Sequence, residues 1–378
     1  MRIGIDVRTL SYEYTGIPIY VHDLIKCWNN ECHEEEFFLY SNRSFELDFI
    51  LNNNFHIIID KHKFGGIWEQ KRMPYLLQRD KINVFWEPMN FLPRKVEGIK
   101  YIVTIHDLAV YNNPKLGSFT DGVLERLLLP ISCKRADKII AISESTKNDI
   151  KKYLKVQDNK ISIIYNGDSP YTGKGPSYTE DKEELILNKW KIVKNNYLLF
   201  IGTIEPRKNI STIVKAFEVL KKKNGYIGKL ILVGKYGWRS NNLLKQINSS
   251  EYKKDIVLTN YVTDEEKECL YRNATCFVFP SLYEGFGFPI VEAMSVGIPI
   301  ITSKVSSMPE VGGEIVSYVE KNMLTDYYAL AERILEILSR SQDDLENYIL
   351  KCKRRVTLFN RITTARETMK RIKGAYDE

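Results

Sequence analysis

The sequence predicts two α/β domains in tandem, each a doubly wound, Rossmann-like parallel sheet. Three observations carry that expectation. Short apolar runs alternate with amphipathic stretches almost from end to end. Several of the runs are continuous and β-branched, as strands covered on both faces must be. The chain has 378 residues, more than one domain of roughly 150 residues accounts for.

In chain order, strands are expected at 3–7, 37–40, 55–59, 84–86, 101–105, 138–142 and 161–165. Helical patterns lie between them at 19–28, 68–79, 123–135 and 144–154. Residues 166–179 are dense in turn formers and read as a linker. The alternation then restarts, with strands at 197–201, 230–233, 256–258, 276–279, 300–302 and 315–318. Helices follow at 209–223, 264–272, 289–296, 326–339 and 345–354. The expected domains are 1–168 and 169–359. Two such sheets place a ligand cleft at the carboxyl ends of their strands.

Hydrophobic residues make up 44% and charged residues 27%, a globular composition that argues against long disorder. The formal charge of +7 is uneven: residues 1–168 carry +1 and residues 349–378 carry +6. That tail reads either as a contact for an anionic membrane surface or as a solvated basic helix. Phe359 and Tyr376 are its only candidates for base stacking, so nucleic acid is not expected. The six cysteines show neither zinc-site nor disulfide-framework spacing, which suggests a reducing compartment. Asp6 breaks any signal-like apolar run, and no run approaches 18 apolar residues. The expected location is cytoplasmic, with peripheral contact at the inner face of a membrane as its extension.

Four segments carry chemistry. Gly202-Thr-Ile-Glu-Pro-Arg-Lys-Asn209 follows a strand and opens a helix, with Asn209 as the expected N-cap. Arg207 and Lys208 at a helix N-terminus suit a diphosphate, or else form a basic loop that bridges to a carboxylate. Glu284-Gly-Phe-Gly-Phe-Pro-Ile-Val-Glu292 runs from a strand through a Gly-rich loop into a helix. Gly285 and Gly287 permit close backbone approach, and ionised Glu284 and Glu292 accept from sugar hydroxyls. The plainer reading is a tight turn with helix-dipole stabilisation. His106, in Thr104-Ile-His-Asp107, ends a strand. It can meet a substrate hydroxyl or phosphate, or be satisfied by Asp107 or backbone. Gly16 follows the first strand, but there is no Gly-x-Gly-x-x-Gly fingerprint there, which argues against a dehydrogenase.

In order and spacing, these segments resemble the retaining glycosyltransferases of family four (glycosyl transferases group 1), over roughly residues 1–320. Ser143 through Lys147, Asn166-Gly167 and Ser306 through Glu310 join the pattern. Its most specific element is the pair of glutamates with seven residues between them, followed by Ala293, Met294 and Gly297. The resemblance implies the GT-B fold, two domains facing a central cleft, with a last helix at about 360–378 packed back on the first domain. It implies transfer of a hexosyl group, with retention, from a nucleotide sugar to a hydroxyl of a glycan or lipid-linked acceptor, in cell-surface polysaccharide or glycoconjugate synthesis. By the same resemblance Lys208 contacts the diphosphate, Glu292 the ribose and Glu284 the donor sugar. His106 sits near that sugar, Gly16 near the phosphates, and Gly285, Phe286 and Gly287 line the donor. Many members carry an Arg where this chain has Thr203, so Arg207 stands in for it. The sequence contains no Asp-x-Asp, so neither metal nor other cofactor is expected beside the co-substrate. The rivals are a sugar-nucleotide epimerase of the same fold and a non-catalytic nucleotide-sugar-binding subunit.

Overall fold

Apolar strands covered on both faces organise the chain into two units, Met1–Gly167 with Phe359–Glu378, and Asp168–Leu358. The computed structural model describes residues 1–12, 16–114, 117 and 119–377, without the side chains of 119–121.

In the first unit the strands are β1 (Arg2–Asp6), β2 (Glu36–Ser41), β3 (Phe55–Ile59), β4 (Val84–Glu87), β5 (Lys100–Ile105), β6 (Lys138–Ala141) and β7 (Ile161–Ile163). They form one parallel sheet in the order β3-β2-β1-β4-β5-β6-β7. Alternate residues feed opposite cores. Ile3, Ile5, Phe37 and Trp86 pack with helix Ile17–Glu31 on one face. Tyr40, Phe85, Tyr101 and Val103 pack with Leu76 and Leu77 on the other. Helix Arg361–Asp377 belongs to this unit. Its Ala365, Met369, Ile372 and Ala375 enter the first of these cores, and Trp28 Nε1 donates to the Ala365 carbonyl at 2.9 Å.

The second unit holds β8 (Tyr197–Ile201), β9 (Lys229–Val233), β10 (Ile256–Asn260), β11 (Cys276–Phe279), β12 (Ile300–Ser303) and β13 (Ser317–Val319). Its parallel sheet has the order β10-β9-β8-β11-β12-β13. Each sheet reverses its strand order once, at β1/β4 and at β8/β11. In doubly wound folds ligands bind at that switch point, beyond the carboxyl ends of the strands.

Several elements differ from the sequence expectation. Helices Glu180–Lys189 and Ser240–Ser249 were not expected; they bury only Ile186 and Leu187, and Leu243 and Ile247. The last strand begins at Ser317, not 315, because Gly312 and Gly313 end the preceding helix just before it. The expected helix over 68–79 starts at Gly65 and passes through a wide π turn at Trp68–Arg72. Pro74 has no N–H to return to the carbonyl one turn back, and the wide turn falls at that gap.

The basic tail is divided between the two units. Its first part lies in helix Gln342–Val356 of the second unit, where the Arg355 guanidinium donates to the carbonyls of Glu310 and Val311. Its second part is tied to acids of the first unit: Arg366 to Glu31 at 2.8 Å, Arg361 to Asp23 at 3.5 Å, and Lys373 to Glu35. Among the described residues no helix is long and apolar enough to cross a membrane.

Candidate functional site

The site grows from two loops at adjacent strand ends. After β8, residues 202–209 end in the 3-10 turn Pro206–Lys208 and lead into helix Ile210–Asn224. After β11, residues 280–287 lead into helix Phe288–Val296. Leu282 N–H donates to the Arg207 carbonyl at 2.8 Å, and Asn209 Nδ2 donates to Pro280 O at 3.2 Å and Leu324 O at 2.6 Å. The two loops are thereby locked together.

Asn209 occupies the N-cap position, but its side chain does not cap as expected. Its backbone is left-handed (φ +57°), and its Oδ1 accepts from the Thr212 hydroxyl at 2.7 Å, not from a helix N–H. The amide is instead spent on joining the loops.

Arg207, Lys208 and Glu284 are brought into direct contact. Lys208 Nζ donates to Glu284 Oε1 at 2.6 Å, and Arg207 Nη1 donates to Glu284 Oε2 at 2.9 Å. Arg207 also donates to Glu205 at 3.0 Å and to the Tyr283 carbonyl at 2.9 Å. The Lys208 ammonium sits 5.0 Å from the Phe279 ring centroid, a cation–π distance. Burial alone would raise the Glu284 carboxyl; Arg207 and Lys208 outweigh it and bring the pKa down to about 2. Burial lowers Lys208 from its ordinary value, opposed by Glu284. Of the two readings open for the basic loop, the bridge to a carboxylate is therefore present, and its carboxylate is Glu284.

The backbone of Glu284 is fixed as well. Its N–H donates to Ser306 Oγ and its carbonyl accepts from Ser307 Oγ, both at 2.9 Å. Gly285 and Phe286 are buried. Gly287 has φ +90° at the helix N-cap, where a Cβ would also meet Ile290 at 3.3 Å. One turn further, Glu292 is 3% exposed and turned toward helix Asp264–Asn273. Lys267 donates to its Oε1, and the Tyr271 hydroxyl donates to its Oε2 at 3.0 Å. Lys267 and Tyr271 escaped the sequence reading, although four residues apart on one helix they share a face. Glu205, Ser306 and Ser307 lie within the motifs, which assign them no role.

Gly16 and His106 belong to the first unit. Gly16 has φ +56° and precedes helix Ile17–Glu31; among the described residues nothing lies within 4 Å of where a side chain would stand. His106 Nε2 donates to the Pro88 carbonyl at 2.7 Å, which leaves Nδ1 as the acceptor nitrogen. Asp107 is not its partner: Asp107 Oδ1 accepts from Ala109 N–H at 3.0 Å. Burial holds the His106 imidazole below its ordinary pKa, against the opposing pull of Pro88 O and Asp107. Ser143 caps helix Glu144–Leu154 by accepting from Thr146 N–H at 3.0 Å.

A second charged cluster, not anticipated, occupies the switch point of the first sheet. Arg8 donates to Asp6 at 2.7 Å and to Glu69 at 2.8 Å. Glu87 Oε1 accepts from Met89 N–H at 3.0 Å, while its buried Oε2 has no partner among the described residues. Burial, and then Asp6, push the Glu87 carboxyl well above the usual carboxylate range.

Comparison with known proteins agrees with this architecture. Residues 182–354 match the family described as glycosyl transferases group 1, and residues 14–168 match glycosyltransferase family 4. The O-antigen chain mannosyltransferase B of Escherichia coli is 28% identical over 360 residues, 91% of each chain. The O-antigen chain mannosyltransferase RfbU of Salmonella typhimurium is 31% identical over 209 residues, 55% of this chain and 53% of the relative. Among solved structures, WaaG, a glycosyltransferase involved in lipopolysaccharide biosynthesis, superimposes with a TM-score of 0.74 at 14% identity, covering 99% of this chain and 100% of its own. Anabaena HepE, solved in complex with UDP and glucose, gives 0.71 at 14% identity, covering 99% of each chain.

Proposed function

We propose that this chain, a glycosyltransferase of the family 4 type with the GT-B fold, moves a hexosyl group from a nucleotide sugar to a glycan or lipid-linked hydroxyl, retaining anomeric configuration. The observation that carries the reading is the pairing of Arg207 and Lys208 with Glu284 at the carboxyl ends of β8 and β11. Two cations beside a helix N-terminus suit a leaving diphosphate, whose charge grows as the glycosidic bond breaks. No metal is required in this account. Glu292 accepts from the ribose hydroxyls, with Lys267 and Tyr271 holding its carboxylate in place. Glu284 faces the donor sugar. The acceptor hydroxyl attacks on the face the diphosphate leaves, and the departing phosphate takes its proton. The names of the relatives support a mannosyl donor and a role in polysaccharide assembly.

The test is transfer by the purified chain from a panel of nucleotide sugars, GDP-mannose first, to an oligosaccharide acceptor, with excess chelator present. The expected product carries the donor's own anomeric configuration. An inverted product, or epimerised donor with no transfer, contradicts the reading.

A further inference from the structure

Glu284 fills, with its own carboxylate, the place where an anion would be held. Its two oxygens accept one hydrogen bond each from Lys208 and Arg207, at 2.6 and 2.9 Å, and its side chain is only 9% exposed. These are the same two cations that the proposed function assigns to the donor diphosphate, and the inference rests on that assignment. A phosphate and a carboxylate side by side on one buried ammonium repel each other. The Glu284 backbone cannot retreat to relieve this. Ser306 and Ser307 hold its N–H and its carbonyl at 2.9 Å, and Ser306 itself is fixed in a left-handed turn (φ +47°). Only the side chain can move.

We infer that donor binding is an exchange. The diphosphate takes Arg207 and Lys208, and the Glu284 carboxylate rotates off them and becomes an acceptor for hydroxyls of the sugar to be transferred. Before the donor arrives, Glu284 keeps both cations neutralised, so the buried Lys208 never stands without a partner. Afterwards the same group is available to the sugar. The order is built into the contact: the sugar-facing carboxylate is released only once phosphate is in place.

The exchange predicts that weakening Glu284 as an anion strengthens phosphate binding. Glu284→Gln keeps the shape and an acceptor for Lys208 but removes the competing charge. It should bind inorganic pyrophosphate and nucleoside diphosphate about tenfold tighter than the parent chain, while nucleoside affinity stays unchanged. Glu284→Asp keeps the charge but is one methylene too short to hold both cations. It should bind the same ligands tighter by a smaller factor, and it decides the matter if the Gln variant does not fold. Titration calorimetry on the full chain, with melting curves to confirm folding, reads all three. If folded variants bind nucleoside diphosphate no tighter than the parent, the exchange is wrong. If the parent chain itself binds neither pyrophosphate nor nucleoside diphosphate, the diphosphate assignment fails, and the exchange with it.

Discussion

At the carboxyl ends of β8 and β11, two cations, Arg207 and Lys208, face two carboxylates, Glu205 and Glu284. At the corresponding ends of β1 and β4, one guanidinium, Arg8, faces three carboxyl groups, those of Asp6, Glu69 and Glu87. The two places are topologically alike, each the single reversal point of a doubly wound sheet. Their charge balance is opposite in consequence. In the second unit an incoming anion can replace a carboxylate and leave the cations satisfied. In the first, acids outnumber the cation, so an anion would add to an existing surplus. There burial, and then Asp6, raise the Glu87 carboxyl well above the usual carboxylate range, which favours its protonated form and so eases the surplus. A buried charged cluster at a switch point is therefore not by itself an anion site; the ratio of cations to acids decides.

Arg8→Met tests the first half of that contrast most strongly. It leaves Asp6 and Glu69 buried without their shared partner, and breaking such a pair costs about 3–5 kcal/mol. Urea unfolding followed by tryptophan fluorescence should show an earlier transition for the first unit, with nucleoside-diphosphate affinity unchanged. If Arg8→Met instead abolishes nucleoside-diphosphate binding in a folded protein, the first switch point also serves phosphate and the contrast is broken.

Glu87→Gln has a smaller effect, and its sign depends on pH. With its pKa raised above the ordinary 4.5, the folded carboxyl gives up its proton at a higher pH than the unfolded one. Stability from this group is therefore complete below about pH 4.5 and is lost as pH rises toward the folded value, at about 1.4 kcal/mol per pH unit. The amide that replaces the carboxyl cannot titrate, so parent and variant should be alike at low pH and the variant more stable at high pH. Denaturant midpoints across pH 4–8 measure this. Parallel pH profiles for the two proteins would mean that Glu87 is ionised in the folded state.

Much of this architecture is legible in the sequence, for identifiable reasons. The bounds of β3, β8, β11 and helix Glu144–Leu154 can be read to the residue, because each apolar run or cap is flanked by clear stops. Helix Glu180–Lys189 is hidden because two buried residues make no period, although Thr179 followed by Glu180, Asp181 and Glu183 is an N-terminal signal. Within the site, Arg207, Lys208, Glu284 and Glu292 stand out because each follows a strand in a motif of fixed spacing. Their mutual contacts are not legible. Lys208 and Glu284 are 76 residues apart and meet only because β8 and β11 are neighbours. The Asp6–Arg8–Glu69–Glu87 cluster is invisible for the same reason, joined by strand order and by a π turn that no periodicity announces.

If the loops after β8 and β11 hold the diphosphate of a nucleotide sugar, as proposed, Lys208 neutralises part of its charge. Calorimetric titration of Lys208→Ala with nucleoside diphosphate and with the bare nucleoside tests it most directly. A charge-assisted hydrogen bond is worth about 1.5–3 kcal/mol, so the diphosphate should bind roughly 10- to 150-fold more weakly than to the parent chain, with nucleoside affinity nearly unchanged. Equal losses for the two ligands, or no loss for the diphosphate, would place Lys208 outside the phosphate site and contradict the account.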